Sequence, residues 1–395
     1  MRILIQLMKM KMRILKCKND LTLTDTDENQ TILYKNNDYI VPDIIIDMLK
    51  GNRVYDKQVI RDEDFYEYAE YKRYKGEDLN DKKLITFRNG GIGDLLFQLP
   101  ALKALKEKYP TSNITICCNQ KFKELFDGLD YIDNVLNVPM LLNDIMDRDY
   151  FVNFEGLIEN NPDAETKNAY DLHNEQFFID PEIKCPRLYV DPNEENIIKP
   201  MLRGEIRIIL AFAASVPIRS IDPRLWIQLI NNVDDNRVRW YIISTPFQQK
   251  TLIEPFLGYL SNKNKNKVVN WSKTYPRSFK KLIALVNNCD VVIAPDSGLL
   301  HIAGSLGKKV IGLYGPFPSE LRLKHYKNAI GLDAFAECYF AKGETGSCFQ
   351  HGNGSCNAAN KKMERYSPCM KHDYRHILFA LKTLGIDLNI IPLAK

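Results

Sequence analysis

Apolar and polar positions along this chain alternate in blocks, each about the length of one secondary-structure element. Leu84-Ile-Thr-Phe87 is a short apolar run. After a polar loop, Leu95, Leu96, Leu99, Leu102 and Leu105 recur at helical spacing, which predicts a helix over 94–108. Pro100 falls inside it, where it should kink or restart the helix. Asn113–Cys118 predicts the next strand, 121–127 a short helix, and 134–138 and 150–154 further strands. A second series begins at Arg207–Phe212 and runs through helix 223–233, strand 238–243, helix 247–260, strand 268–271, helix 278–288, strand 290–294, helix 297–306 and strand 309–314. Strands alternating with helices imply parallel sheets with helices on their faces. The expected fold class is α/β, with two consecutive Rossmann-like domains facing a cleft, where ligands usually bind.

The two ends of the chain break this pattern. Residues 1–82 hold strand-like pieces at Thr31–Tyr34 and Tyr39–Val41, a helix candidate at 42–50 and a charged, tyrosine-rich run from Arg61 to Tyr74; they read as a small N-terminal appendage expected to dock on the main body. The alternating blocks divide into 83–195 and 196–335, with Asp191–Glu195 as the connecting segment. Residues 336–395 form a Cys-, Gly- and Asn-rich loop closed by a helix from His376 to Leu384.

Composition narrows the classes. With 395 residues, of which 45% are hydrophobic and 26% charged, the chain is globular and long enough for two domains and an appendage. A net charge of +4 gives no clustered basic footprint, so no nucleic-acid partner is expected. No apolar run reaches the roughly 18 residues of a membrane span. The apolar start is broken by Lys9, Lys11 and Arg13 and followed by no small-residue cleavage site, so no signal peptide is expected. Met-Arg-Ile-Leu occurs at Met1 and again at Met12, which leaves Met8, Met10 and Met12 as further candidate starts. A cytoplasmic protein would keep its nine cysteines as reduced thiols or metal ligands.

Two turns carry the chemistry. Asp296-Ser297-Gly298 joins a strand to a helix, setting free backbone N–H groups at a helix N-terminus, where an anion is favoured. Gly298 would let a phosphate approach the backbone. His301 lies one helical turn on and can face the same place. An ordinary capped helix would use the same residues. The second turn is Arg88–Gly93, with Gly91 and Gly93 in the loop and Asp94 at the helix start. There Asp94 can serve as an N-cap or as a base taking a proton from a hydroxyl. A dinucleotide fingerprint is excluded: its third glycine position is Leu96, and the next strand ends in Asn119 where a ribose-binding acid belongs.

Gly91-Ile-Gly-Asp94 with Pro100-Ala-Leu102, and Asp296–His301 followed by Gly312–Pro316, resemble the heptosyltransferase-like glycosyltransferases of family 9. The resemblance runs from about Leu84 to the C-terminus. It implies a GT-B fold, an ADP-activated sugar donor, an inverting mechanism and no catalytic metal or cofactor. It matches Asp94 to the general base, Arg224 to a residue on the donor phosphates, and Asp296, Ser297, Gly298 and His301 to the donor loop. Arg219, flanking the same loop, is a second phosphate candidate, since arginine pairs phosphate bidentately. Where relatives carry a ribose-contacting Glu, this chain has Gln248 and Gln249. The acceptor is left open among lipopolysaccharide, another glycan and a protein, with peripheral contact at the inner face of the membrane compatible with a lipid-linked one.

Cys338, Cys348, Cys356 and Cys369 fall close together, with His351 and His372 nearby. Four thiolates suit a closed tetrahedral zinc or iron site, but without a C-x-x-C pair disulfides and free thiols fit as well. The resemblance to autotransporter heptosyltransferases implies cysteine-bound iron in this region. Cys117, Cys118 and Cys289 lie on predicted strands and are expected to be buried. A non-catalytic scaffold built on the same fold is the alternative to the enzyme.

Overall fold

A parallel strand covered by helices on both faces reads as an unbroken apolar run, and Val291–Pro295 is buried at every position. The structure is a computed structural model. It describes residues 12–17, 21–24, 30–34, 36–42, 65–68, 72–214, 216–244, 248–274, 278–334, 356, 359 and 366–391. The helix expected at 42–50 lies outside these residues except for Pro42, which ends a strand. The chain forms two compact units. One comprises 1–90, 101–155 and 175–179, and the other 91–100, 156–174 and 180–395.

In the first unit the strands are β1 (Met12–Lys16), β2 (Leu21–Thr24), β3 (Gln30–Leu33), β4 (Asp38–Pro42), β5 (Phe65–Tyr68), β6 (Lys83–Phe87), β7 (Asn113–Cys118), β8 (Asn134–Asn137), β9 (Met140–Leu141) and β10 (Tyr150–Asn153). A parallel sheet runs in the order β10-β6-β7-β8. The N-terminal strands build an antiparallel sheet, β5-β1-β4-β9, whose last strand comes from the chain between β8 and β10. Leu15, Cys17, Leu33 and Tyr39 are buried together with Ile85, Phe87, Cys117, Met140 and Phe151, so the N-terminal sheet shares a core with the parallel one. Burial raises the thiol of Cys117 well above its ordinary range and pushes that of Cys118 up to about 12, which leaves both as apolar packing groups.

The second unit holds a six-stranded parallel sheet of β11 (Ile206–Ala211), β12 (Val238–Ile243), β13 (Val268–Asn270), β14 (Val291–Pro295), β15 (Lys309–Tyr314) and β16 (Ala329–Asp333), in the order β13-β12-β11-β14-β15-β16. Read in chain order this is 3-2-1-4-5-6, the Rossmann arrangement, and the order reverses between β11 and β14. The sixth strand was not expected. Its residues are only partly buried, as befits an edge.

The helices used below are α1 (Ile92–Phe97), α2 (Leu99–Lys108), α3 (Ala169–Gln176), α4 (Pro223–Asn231), α5 (Phe279–Asn287), α6 (Gly298–Ser305) and α7 (Tyr374–Thr383). The helix expected over 94–108 is two helices, interrupted at Gln98. Pro100 sits in the first turn of α2, where its missing N–H costs nothing. α4 shows why such segments fold as they do. Asp222 caps it by accepting from the Arg224 N–H, Pro223 opens it, and Leu225, Trp226, Leu229 and Ile230 form its buried face. α7 is capped likewise by Asp373 and buries Ile377, Ala380 and Leu381 in the same core as α4. Asp191–Glu195 opens a helix, Pro192–Ile198, with Asp191 as its N-cap. In place of a regular helix over 247–260 there is a π turn, Gln249–Ile253, leading into a short helix, Glu254–Gly258.

Candidate functional site

Open parallel sheets bind ligands beyond the carboxyl ends of their strands where the order reverses, because the connections there part to opposite faces. In the second unit that point is flanked by the loop after β11 and the turn after β14, which place Arg219 and Asp296 together. Arg219 pairs with the Asp296 carboxylate through Nη1. His301 Nε2 lies 3.0 Å from the other carboxylate oxygen, and His301 Nδ1 lies 2.9 Å from the Tyr326 hydroxyl. Tyr326 in turn is 2.8 Å from the Tyr170 hydroxyl. Asp296, His301, Tyr326 and Tyr170 are all buried.

Burial alone would push the Asp296 carboxyl up. The Arg219 guanidinium, the His301 hydrogen bond and the Arg322 charge outweigh that and hold it well below the usual carboxylate range. Arg322 is itself buried, with its guanidinium 4.7 Å from the Phe317 ring centroid. One carboxylate between two arginines leaves net positive charge at the start of α6. There the helix N-cap is Ser297, whose Oγ is buried without a hydrogen-bond partner among the described residues, as is the Tyr314 hydroxyl.

The loop around Asp94 belongs to this same unit. α1 starts after Gly91, whose φ of +85° lies in the left-handed region open to glycine. The N-cap is therefore Gly91, and Asp94 is the third residue of α1 rather than its cap. α1 packs against α6 at very short range. A Cβ on Gly93 would stand 2.9 Å from His301 Cδ2, and one on Gly298 would stand 2.4 Å from Ile92 Cδ1 and 2.6 Å from its Cβ. Gly298 thus has a packing reason to be glycine, whether or not a phosphate approaches it. Phe97, from the same helix, packs edge-on against His301 with ring centroids 4.8 Å apart. Gly298→Ala is expected to cost about 1–3 kcal/mol by pushing α1 off α6. Urea unfolding reads this directly, and an unchanged midpoint would contradict the packing.

Arg224 is placed differently from Arg219. It is 80% exposed and engaged with Asp222, the cap of its own helix. Gln249 Oε1 lies 3.2 Å from the Ser244 hydroxyl, which donates to it. In the first unit the reversal of strand order falls between β6 and β10, and it too carries an arginine–carboxylate pair, with the arginine buried. Arg88 lies 3.8 Å from Glu155 and donates to the carbonyls of Gly90 and Phe154.

Of the four C-terminal cysteines, Cys338 and Cys348 lie outside the described residues, as does His351. Cys356 and Cys369 are partly buried, and Cys356 Sγ accepts from the Ala359 N–H. Among the described residues no group of three or more metal-ligating side chains comes together. The Cys369 carbonyl sits where a Cβ on Gly315 would be, and Ser367 Oγ donates to the Ile218 carbonyl at 2.9 Å, so this segment packs beside the ends of β11 and β15. Sequence reading passed over Arg322, Tyr326 and Tyr170. Arg322 and Tyr326 follow one another at helical spacing, and nothing in the sequence ties either to His301.

The profile of glycosyltransferase family 9 (heptosyltransferase) matches residues 274–334, the segment that holds Asp296, Ser297, Gly298, His301, Arg322 and Tyr326. The lipopolysaccharide core heptosyltransferase OpsX of Haemophilus influenzae is 45% identical over 51 residues, which are 13% of this chain and 14% of that protein. The ADP-heptose lipopolysaccharide heptosyltransferase II of E. coli has the same fold, with a TM-score of 0.57 at 13% identity over 77% of this chain and 98% of that one. The dodecameric iron-containing heptosyltransferase TibC of enterotoxigenic E. coli, solved in complex with ADP-D-beta-D-heptose, has a TM-score of 0.52 at 13% identity over 94% of this chain and 93% of that one. No helix among the described residues is long and apolar enough to cross a membrane.

Proposed function

We propose that this chain, which carries a glycosyltransferase family 9 segment on a GT-B-type fold, transfers heptose or a related sugar from an ADP-linked donor to a hydroxyl acceptor with inversion. The observation that carries the reading is the Arg219–Asp296–His301 group at the start of α6, inside the family-matched segment and at the strand-order reversal of a Rossmann sheet. In this reading the donor diphosphate lies at the N-terminus of α6, met by its free N–H groups, the Ser297 hydroxyl and Arg219. Arg224, exposed at the start of α4, adds a second cation by leaving Asp222. Asp94 takes the acceptor proton as the acceptor oxygen bonds to the sugar's anomeric carbon. The bond from that carbon to the diphosphate breaks, and ADP leaves with the electron pair. Fixed positive charge where the diphosphate departs stabilises the transition state without reorganisation, so the step calls for no catalytic metal.

Cys338, Cys348, Cys356 and Cys369 are proposed as ligands of a structural zinc or iron that ties the C-terminal loop to the segment packed on Gly315. The acceptor is a lipopolysaccharide core, another glycan or a protein hydroxyl, handled in the cytoplasm or at the inner face of the membrane.

Thermal unfolding with ADP, UDP, GDP and CDP tests the donor class. ADP at a hundredfold excess over Kd should stabilise the chain by about 2.7 kcal/mol, and the gain should vanish in His301→Ala. Stabilisation by none of the four would overturn the enzyme reading in favour of a non-catalytic scaffold.

A further inference from the structure

We infer that Tyr326, held in turn by Tyr170, is a positioning residue that donates to His301 Nδ1, fixes the imidazole with its Nε2–H on Asp296 and thereby holds the Asp296–Arg219 pair at the start of α6. Only the consequence for nucleotide binding rests on the functional reading above. The hydrogen-bond directions follow from the inventory of donors and acceptors. Asp296, ionised between Arg219 and Arg322, can only accept. The proton between it and His301 Nε2, 3.0 Å away, therefore sits on the nitrogen. A neutral imidazole has one N–H, so Nδ1 is then an acceptor, and the group 2.9 Å from it, the Tyr326 hydroxyl, must donate. With its proton so used, the Tyr326 oxygen accepts from Tyr170, 2.8 Å away. Burial raises both phenols well above their ordinary range, so both keep their protons. The order of donation is thus Tyr170 to Tyr326 to His301 to Asp296.

The geometry around this chain of bonds leaves the rings little room. A Cβ on Gly304 would come within 2.5 Å of the Tyr326 ring, and one on Gly93 within 2.9 Å of His301. Phe97 packs edge-on against both the His301 and Tyr170 rings, at 4.8 and 4.7 Å. The imidazole is therefore pinned at both nitrogens and along one edge. Without the Tyr326 hydroxyl, Nδ1 loses its donor and the ring keeps a single anchor, Asp296, which still fixes the tautomer but no longer the ring's orientation.

The experiment uses the full chain labelled with ¹⁵N at its histidine ring nitrogens, with His301→Asn identifying the His301 signals by difference. The wild type should show a protonated Nε2 and an unprotonated Nδ1. Tyr326→Phe should keep the tautomer, move the Nδ1 signal to that of a nitrogen accepting no hydrogen bond, and bind ADP about tenfold more weakly, the scale of one lost buried hydrogen bond. Tyr170→Phe leaves the Tyr326 donor in place, so it should keep the Nδ1 signal close to wild type and weaken ADP by no more than about threefold. A wild-type His301 protonated on Nδ1 would overturn the inference, as would a Tyr326→Phe spectrum identical to wild type. Should Tyr326→Phe fail to fold, the wild-type spectrum decides by itself. Failure of the wild type to bind ADP would overturn the functional reading and leave the tautomer result standing.

Discussion

Asp296→Ala is expected to destabilise the second unit by about 3–5 kcal/mol, the cost of breaking a buried ion pair and leaving charge uncompensated. The alanine would take the carboxylate away from the Arg219 guanidinium, the buried Arg322 charge and the His301 Nε2–H. Urea unfolding of wild type and variant measures the loss. Removing Arg219 as well, as Asp296→Ala with Arg219→Met, should recover part of it. A loss below about 1 kcal/mol would place the pair among solvent-screened ones and contradict its burial. The pH dependence has a defined sign. The folded state holds this carboxyl below its unfolded value of about 3.9, so its contribution is complete above that pH and is lost as pH falls below it. The stability curves of wild type and variant should therefore run parallel near neutrality and converge in acid. Curves that stay apart down to the lowest pH at which the protein folds would mean that Asp296 stabilises by shape rather than charge.

Asp94→Asn should lower kcat for sugar transfer by about 10²–10⁴-fold, the usual worth of a positioned general base, with stabilisation by ADP intact. Asp94 is the third residue of α1, next to the glycine whose bareness admits His301. It thus belongs to the same packed unit as the proposed diphosphate site. An acidic residue in a first helical turn contributes about 0.3–1 kcal/mol through the helix dipole, and Asn keeps the side chain's shape and one acceptor oxygen, so the fold is expected to survive. Transfer measured with saturating donor separates the two roles. Retained turnover would remove Asp94 as the base, and lost ADP binding would mean that it orders the site instead.

The strands of both parallel sheets were legible because burial on two faces demands apolar residues at successive positions, and β7, β12 and β15 begin and end as their apolar runs do. Two elements escaped that reading. β16 lies at an edge, half covered, and α3 reads as a polar stretch because Asp171, Glu175 and Gln176 share it with the residues it buries. The break at Gln98 was half visible, since Pro100 announced a disturbance but not whether the helix would bend or restart.

The sequence by itself determined the α/β class, the two glycine turns and the types of side chain they carry, because each follows from local rules of periodicity, capping and backbone freedom. Tertiary structure alone decided which of two similar arginines meets Asp296. Arg219 and Arg224 flank the same loop, yet the cap at Asp222 engages one while the fold closes the other onto the carboxylate. It also decided that residues 91–100 pack with 180–395, and that a tyrosine 25 residues beyond His301 and another 156 residues before that tyrosine complete its hydrogen bonds. Partners that far apart share no periodicity, and a buried hydroxyl, unlike a strand, leaves no pattern among its sequence neighbours.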